Sequence, residues 1–389
     1  MKINKKIIII GPEENIFRTR MGSMYKLTFN LIRYLMHNGI DVYYIGATDK
    51  NNLRGLSRYL HNYIAFSLKL RKSIEKILGD DSIIHSLNFY NLMFFNIRRY
   101  PLIISEFNHY PWIKEYLYYP TLSVYERIRW DIDFNFRIQA ARMILPRATA
   151  ITAVSKYQAD KMSYYVPAIR NKLKIIPNAV DTNFYKPQPD FKLKEKILED
   201  AEILATYAGR LAPHKGLHLL FEALARIDKN TRKKIKILII GPKGSLFGAR
   251  EEKGKYINLL NHILEKYNLK NIVTFAGTVP ENQMPKYYSI SDFLIHPSLV
   301  EAFGLSIVEA MSCGTPVVAF DIPPINEIVN PQVGLLAKVS VADLAQKIEE
   351  MIINDKLRKR LSMNTRKYVL DRYSWKNIIK MYIKLYRDV

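Results

Sequence analysis

The sequence predicts an α/β protein built as two doubly wound domains, each a parallel sheet with helices on both faces. Three observations carry that reading: the length of the chain, a strand–helix rhythm that runs twice, and a proline- and lysine-rich stretch between the two runs. A chain of 389 residues exceeds what one core of about 250–300 residues supports, so two domains are expected. Its apolar fraction of 48% is that of an ordinary soluble globular protein.

The first run opens with Ile7–Ile10. This short apolar stretch is closed by Gly11 and Pro12, so it reads as a core strand and not as a leader peptide. An amphipathic helix follows over about Ser23 to His37. Val42–Ile45, Ser82–His85, Leu102–Ser105, Ala150–Val154 and Lys174–Ile176 are the later strands of this half. Strands alternating with helix-length segments imply a parallel sheet.

From Asn178 to Asp200 the apolar content drops, and Pro187 and Pro189 fall among several lysines. The first part of this stretch reads as a linker. The rhythm then restarts with strands at Ile203–Tyr207, Lys236–Ile240, Ile272–Phe275, Phe293–His296 and Pro316–Phe320. The tail from Ser374 to Val389 places Trp375, Ile378, Ile379, Tyr382 and Leu385 at helical spacing. The expected organisation is an N-terminal domain over 1–183, a C-terminal domain over 190–372, and a last helix over 373–389 that returns to the first domain. Two such halves place a ligand in the cleft between them, at the C-terminal ends of the strands.

The formal charge is +23. Up to residue 190 there are 28 Lys and Arg against 15 Asp and Glu, and after it 31 against 21. The excess is therefore no basic tail, and it points to anionic partners or to a solvated cationic surface. Cys313 is the single cysteine, which excludes an internal disulfide and a cysteine metal cluster and fits a reducing, cytoplasmic setting. No stretch reaches the ~18 apolar residues of a membrane span. Basic and aromatic residues interleave over Arg54–Leu78, and Tyr110–Trp130 is rich in aromatics. Both suit peripheral contact with an anionic membrane, and equally an aromatic core or an acceptor-sugar platform.

Chemistry concentrates in two segments. In Ser298-Leu-Val-Glu301-Ala-Phe303-Gly304-Leu305-Ser-Ile-Val-Glu309, a Phe-Gly turn opens a helix. The first amides of a helix lack internal partners and lie at its positive end, so a phosphate binds there readily. Gly304 removes the side chain that would block the approach. Glu301 precedes the helix and Glu309 lies within it, a spacing that suits a diphosphate with a sugar on each side. In Tyr207-Ala-Gly209-Arg210-Leu211-Ala-Pro-His214-Lys215-Gly216, two cations follow a strand, where they can neutralise a leaving diphosphate. The plain alternative is a surface Arg and Lys on a loop.

The first segment, continued through Ala-Met-Ser-Cys-Gly-Thr-Pro-Val-Val, resembles the donor-site signature of glycosyltransferase family 4, whose members are retaining enzymes of the GT-B type. The second is similar to the Gly-Arg-Leu…Lys-Gly segment of the same family. Val154-Ser155, Ile176–Asp181 and Gly277-Thr-Val279 match weaker family segments in the expected order. The resemblance is dense from about residue 150 to 340 and sparse before it.

It implies two Rossmann-like GT-B domains facing a cleft, and a nucleotide diphosphate sugar as co-substrate with no further cofactor and no metal. It implies that Arg210 and Lys215 hold the pyrophosphate, with Val279, Phe303, Gly304 and Leu305 also at the donor. Arg20-Met-Gly22-Ser23, before the first helix, either sets the Gly22 backbone beside the donor diphosphate or is a plain cap at Ser23. Glu301 then orients the donor sugar and Glu309 the ribose. The family's catalytic histidine after the fourth strand maps near His109. Tyr110 and Trp112 are acceptor-side candidates, and His85, at the end of the previous strand, lines the acceptor cleft or is a satisfied core histidine. The acceptor is expected to be a glycan or lipid-linked molecule, and no nucleic acid is expected. The sequence departs from the family at Pro323 and Pro324, where a Gly pair is common, and a proline there cannot offer an N–H to a phosphate.

Some tempting motifs fail. Gly241-Pro-Lys-Gly244-Ser lacks the Gly-Lys-Ser/Thr of a P-loop, and no G-x-G-x-x-G is present. Asp131-Ile-Asp133 spells the D-x-D of metal-dependent glycosyltransferases of another fold, but it falls in a helical aromatic stretch. A nucleotide-sugar epimerase on the same fold and a basic nucleic-acid-binding protein remain the alternative readings.

Overall fold

A computed structural model describes residues 5–11, 23–46, 74, 76–88, 92, 99–107, 124–242 and 252–389. The chain forms two compact units. One holds the described residues up to Ala179 together with Trp375–Val389, and the other holds Val180–Ser374. The division falls at the start of the Asn178–Asp200 stretch.

The first unit is a six-stranded sheet. Its described elements are β1 (Lys6–Gly11), α1 (Ser23–His37), β2 (Val42–Gly46), β3 (Ser82–Ser86), β4 (Leu102–Glu106), α2 (Val124–Ile144), β5 (Ala150–Ala153), α3 (Lys156–Tyr165) and β6 (Leu173–Ile175). The strands run in the order β2-β1-β3-β4-β5-β6, all parallel. Ile8 of β1 pairs with Tyr43 on one side and Ile84 on the other. Ile7–Ile10 are fully buried, as a strand covered on both faces requires, which is why the run is unbroken and not alternating. Ser155 caps α3, its hydroxyl accepting from the Gln158 amide.

The C-terminal helix, Trp375–Asp388, belongs to this unit. It buries Trp375, Ile378, Ile379, Tyr382, Leu385 and Tyr386. The Trp375 ring stacks on Tyr34 of α1 with centroids 5.7 Å apart.

The second unit runs α4 (Phe191–Leu198), β7 (Ile203–Ala208), α5 (Leu217–Arg226), α6 (Lys229–Arg232), β8 (Ile235–Ile240), α7 (Glu252–Lys266), β9 (Val273–Gly277), α8 (Met284–Ile290), β10 (Phe293–His296), α9 (Leu305–Ser312), β11 (Val317–Phe320), α10 (Ile325–Ile328), β12 (Gly334–Ala337), α11 (Val341–Ile353) and α12 (Asp355–Arg372). The sheet order is β12-β11-β10-β7-β8-β9, again all parallel. From β7 the chain winds outward through β8 and β9, then returns to β10 on the other flank and winds outward again. The reversal lies between β7 and β10, where open α/β sheets bind ligands beyond the strand ends.

The entry and exit of this unit lie together. The Val180 amide donates to the Tyr373 carbonyl at 2.8 Å, and Val180 forms a parallel bridge with Ser374. Arg366 braces the entry, donating from Nη1 to the carbonyls of Tyr185 at 3.2 Å and Ser312 at 2.6 Å, and from Nη2 to that of Thr182 at 3.2 Å. Among the described residues no helix is long and apolar enough to cross a membrane.

Candidate active site

The loops that follow β7 and β10 carry the two sequence segments, and the fold presses them together. After β7 the chain passes Gly209 and Arg210, makes a short 3-10 turn over Pro213–Lys215, and enters α5 through Gly216. Gly216 has φ +71°, and a Cβ there would lie 1.9 Å from the Pro297 carbonyl oxygen. Only glycine permits both the conformation and the contact. The Leu299 amide donates to the His214 carbonyl at 2.9 Å, so the two loops are joined backbone to backbone.

Glu301 lies at the centre. Its Oε1 accepts from the Lys215 ammonium, from His296 Nε2 at 2.8 Å and from the Ser298 hydroxyl at 3.0 Å. Burial opposes ionisation of this carboxyl, but the Lys215 charge and the His296 hydrogen bond prevail and hold its pKa well below the usual carboxylate range. Among the described residues these three partners all engage Oε1.

Arg210 is exposed, while its backbone is fixed by the Tyr207 hydroxyl, which donates to its carbonyl at 2.7 Å. His214 shows that these charges share one neighbourhood. Its pKa falls to about 3, first through burial, then through the charges of Lys215 and Arg210, with Glu301 opposing. His214 is therefore neutral at physiological pH.

Gly304, with φ +100°, sits at the N-cap of α9. Ile307 and Val308 turn their amides back onto the Gly304 carbonyl, so those of Leu305 and Ser306 are the ones the helix leaves for an outside acceptor. Phe303 is buried, with its ring edge-on to Tyr373 at 5.8 Å. Its side chain anchors the turn, and only its backbone faces the helix mouth. Glu309, one turn in, accepts from the Tyr288 hydroxyl at 3.2 Å on Oε2. Burial and the Glu309 charge push the Cys313 thiol up to about 12, which removes it as a nucleophile. Val279 packs its side chain on a small core with Leu204, Leu238, Ile240 and Ile290.

The structure thus brings Arg210, Lys215, Glu301, Gly304 and Leu305 onto two adjoining loops, with Glu309 in the helix they open. Of the two readings of His85, it fits the core histidine. His85 is fully buried in β3. Its Nδ1 meets the Tyr386 hydroxyl at 2.7 Å and its Nε2 the Ser105 hydroxyl at 2.6 Å. Both ring nitrogens are satisfied inside the first unit, so this is a core histidine. Gly22, His109, Tyr110 and Trp112 lie outside the described residues, as does most of Arg54–Leu78. Asp133, of the Asp131-Ile-Asp133 pair, forms an ion pair with Arg137 at 2.8 Å. No cluster able to hold a metal occurs among the described residues.

Sequence reading missed His296 and Tyr288. His296 ends a strand beside the signature, and position at a strand's C-terminal end was the available signal. Tyr288 stands 21 residues before Glu309 in another helix, and no local spacing connects the two.

The family model described as "Glycosyl transferases group 1" matches residues 189–368, and that described as "Glycosyltransferase Family 4" matches residues 26–184. The lipopolysaccharide 1,2-N-acetylglucosaminetransferase of Salmonella typhimurium is 32% identical over 220 residues, 54% of each chain. A D-inositol 3-phosphate glycosyltransferase of Gordonia bronchialis is 24% identical over 259 residues, covering 65% of this chain and 55% of its own. The matches therefore span little more than half the length of these relatives. Among solved structures, sucrose-phosphate synthase of Thermosynechococcus elongatus superposes with a TM-score of 0.75 at 19% identity, over 99% of both chains. HepE of Anabaena, solved with UDP and glucose, gives 0.69 at 19% identity, over 99% of this chain and 100% of its own.

Proposed function

Because the chain belongs to the GT-B glycosyltransferases of the family 4 type, we propose that it moves a hexosyl group from a UDP- or GDP-sugar to a glycan, lipid-linked or small-molecule acceptor, with retention of anomeric configuration. The observation that carries this reading is the meeting of Lys215 with Glu301 at the mouth of α9. A cation for the leaving diphosphate and a carboxylate for the departing sugar are held on one another, next to a helix N-terminus.

The reaction breaks a glycosyl–phosphate bond. Negative charge grows on the diphosphate as the sugar becomes oxocarbenium-like, and fixed positive groups stabilise the leaving group most. Arg210, exposed and fixed at its backbone, supplies one charge. Lys215 supplies a second: an ammonium has three N–H donors, and one on Glu301 leaves others for phosphate oxygens. The amides of Leu305 and Ser306 add the helix dipole. Glu301, ionised throughout the neutral range, accepts hydrogen bonds from the donor sugar through Oε2. Glu309 does the same for the nucleotide ribose, with Tyr288 holding its other oxygen.

HepE was solved with UDP and glucose, and the relatives are named for lipopolysaccharide and D-inositol 3-phosphate, so UDP-sugars and hydroxyl-bearing acceptors of those kinds are the first choices. Thermal unfolding with UDP-glucose, UDP-galactose, UDP-N-acetylglucosamine and GDP-mannose is expected to select one donor by stabilisation. NMR of the product is then expected to show the donor's anomeric configuration. A chain stabilised by no nucleotide sugar overturns the transferase reading, and interconversion of donors without any acceptor favours an epimerase. Peripheral membrane contact and cytoplasmic placement belong to the same proposal. Salt-sensitive binding to anionic vesicles supports the first.

A further inference from the structure

We propose that His296 is a positioning residue that aims Glu301 at the donor sugar, an inference that rests on the donor-sugar role proposed for Glu301. His296 is the last residue of β10 and is 4% exposed. Its strand pairs with β11, His296 opposite Ala319, so its backbone belongs to the sheet and not to a loop. The imidazole is engaged at both ends. Nε2 lies 2.8 Å from Glu301 Oε1, and Nδ1 makes a longer contact of 3.5 Å with the Ser306 hydroxyl in the first turn of α9. A carboxylate only accepts, so Nε2 carries a proton and donates it to Oε1, while Nδ1 faces the serine hydroxyl.

The three groups on Oε1 differ in what a bound donor does to them. Lys215 sits on a loop and has phosphate oxygens to serve. Ser298 lies on the same loop as Glu301, three residues before it. His296 alone ties the carboxylate to the sheet without being asked to touch the donor. Its hydrogen bond fixes which oxygen turns inward, so Oε2 is the one presented to a sugar hydroxyl. Groups that must be placed within about 0.5 Å depend on supports of this kind. The effect belongs to the sugar half of the donor, so the nucleotide half is left unchanged.

The test compares His296→Leu, His296→Gln and Glu301→Gln in the full chain. Turnover is followed with whichever of the four nucleotide sugars above the wild type uses fastest, and affinity is measured for the matching nucleoside diphosphate. In His296→Leu, kcat is expected to fall at least tenfold while the diphosphate Kd stays within twofold. His296→Gln, whose amide donates from about the Nε2 position, is expected to recover kcat to within threefold of wild type. Normal turnover by His296→Leu beside an inactive Glu301→Gln overturns the positioning role alone. Parallel loss of kcat and diphosphate affinity, with no recovery by glutamine, also overturns it, because that is the signature of a merely structural side chain. Normal turnover by Glu301→Gln removes the sugar role of Glu301 first, and the role of His296 with it.

Discussion

Lys215 and Glu301, 86 residues apart in the chain, meet as an ion pair with 16% and 10% of their side chains exposed. Each is therefore a charge taken largely out of water, and each depends on the other. Removing one partner of such a pair leaves an uncompensated charge, at a cost of several kcal/mol when burial is complete.

Lys215→Met is expected to destabilise the second unit by about 2–3 kcal/mol, somewhat under the fully buried figure because both groups keep some contact with water. Adding Glu301→Gln to that variant is expected to return most of the stability and none of the turnover. Urea unfolding of the two single variants and the double variant, beside turnover, checks both statements. A double variant no more stable than Lys215→Met contradicts the coupling.

Arg210→Ala separates chemistry from stability. The side chain is exposed, so the melting temperature is expected to move by the equivalent of about 0.5 kcal/mol or less. Turnover is expected to fall by about two to three orders of magnitude, the usual loss when one fixed donor to a developing anion is removed. Unchanged turnover in a folded Arg210→Ala protein removes the leaving-group assignment.

Gly216→Ala introduces a Cβ that meets the Pro297 carbonyl at 1.9 Å, on a residue held at φ +71°. The β7 and β10 loops must separate to admit it. Loss of nucleotide affinity is expected along with a lower melting temperature, since the backbone strain alone costs about 1–3 kcal/mol. Calorimetry with UDP and thermal unfolding read the two effects, and wild-type affinity in this variant contradicts the coupling of the loops.

Tyr288→Phe removes the hydroxyl that donates to Glu309 at 3.2 Å. One hydrogen bond to a carboxylate is worth about 1.5–3 kcal/mol at most, and the water left around Glu309 returns part of it. Nucleotide affinity is expected to weaken roughly three- to tenfold, with the preference among donor sugars unchanged. Competition between UDP-sugars in the variant checks the second point.

The first unit carries a pH signature of its own. Burial lowers the pKa of His85 from 6.5 to about 3, so between those values the unfolded chain binds a proton that the folded unit does not. Stability is full above pH 6.5 and is lost as pH falls through that window, by at most about 1.4 kcal/mol per pH unit. His85→Gln is expected to reduce the slope of stability against pH between 4 and 6, whatever it does to stability itself. An unchanged slope indicates that another group is responsible.

The central strands of both sheets were legible because parallel strands buried on both faces leave unbroken runs such as Ile7–Ile10 and Ile237–Ile240. Gly334–Ala337 was not legible: four residues at the sheet edge have too little pattern to stand out. In the site, Lys215, Glu301 and Gly304 were legible through their spacing around a strand end and a helix start. What they touch was not, because the 86-residue separation closes only through the β7–β10 reversal. His85 left two readings open. A histidine ending a short strand looks available in sequence, while Tyr386, 301 residues later, takes it into the core.

The bridge of Val180 to Ser374 gives the second unit a practical property. A segment whose two ends lie side by side is topologically an insert, joined to its host by a pair of adjacent splices. Chimeras that exchange residues 180–374 between relatives therefore place both junctions side by side, at one point of the fold.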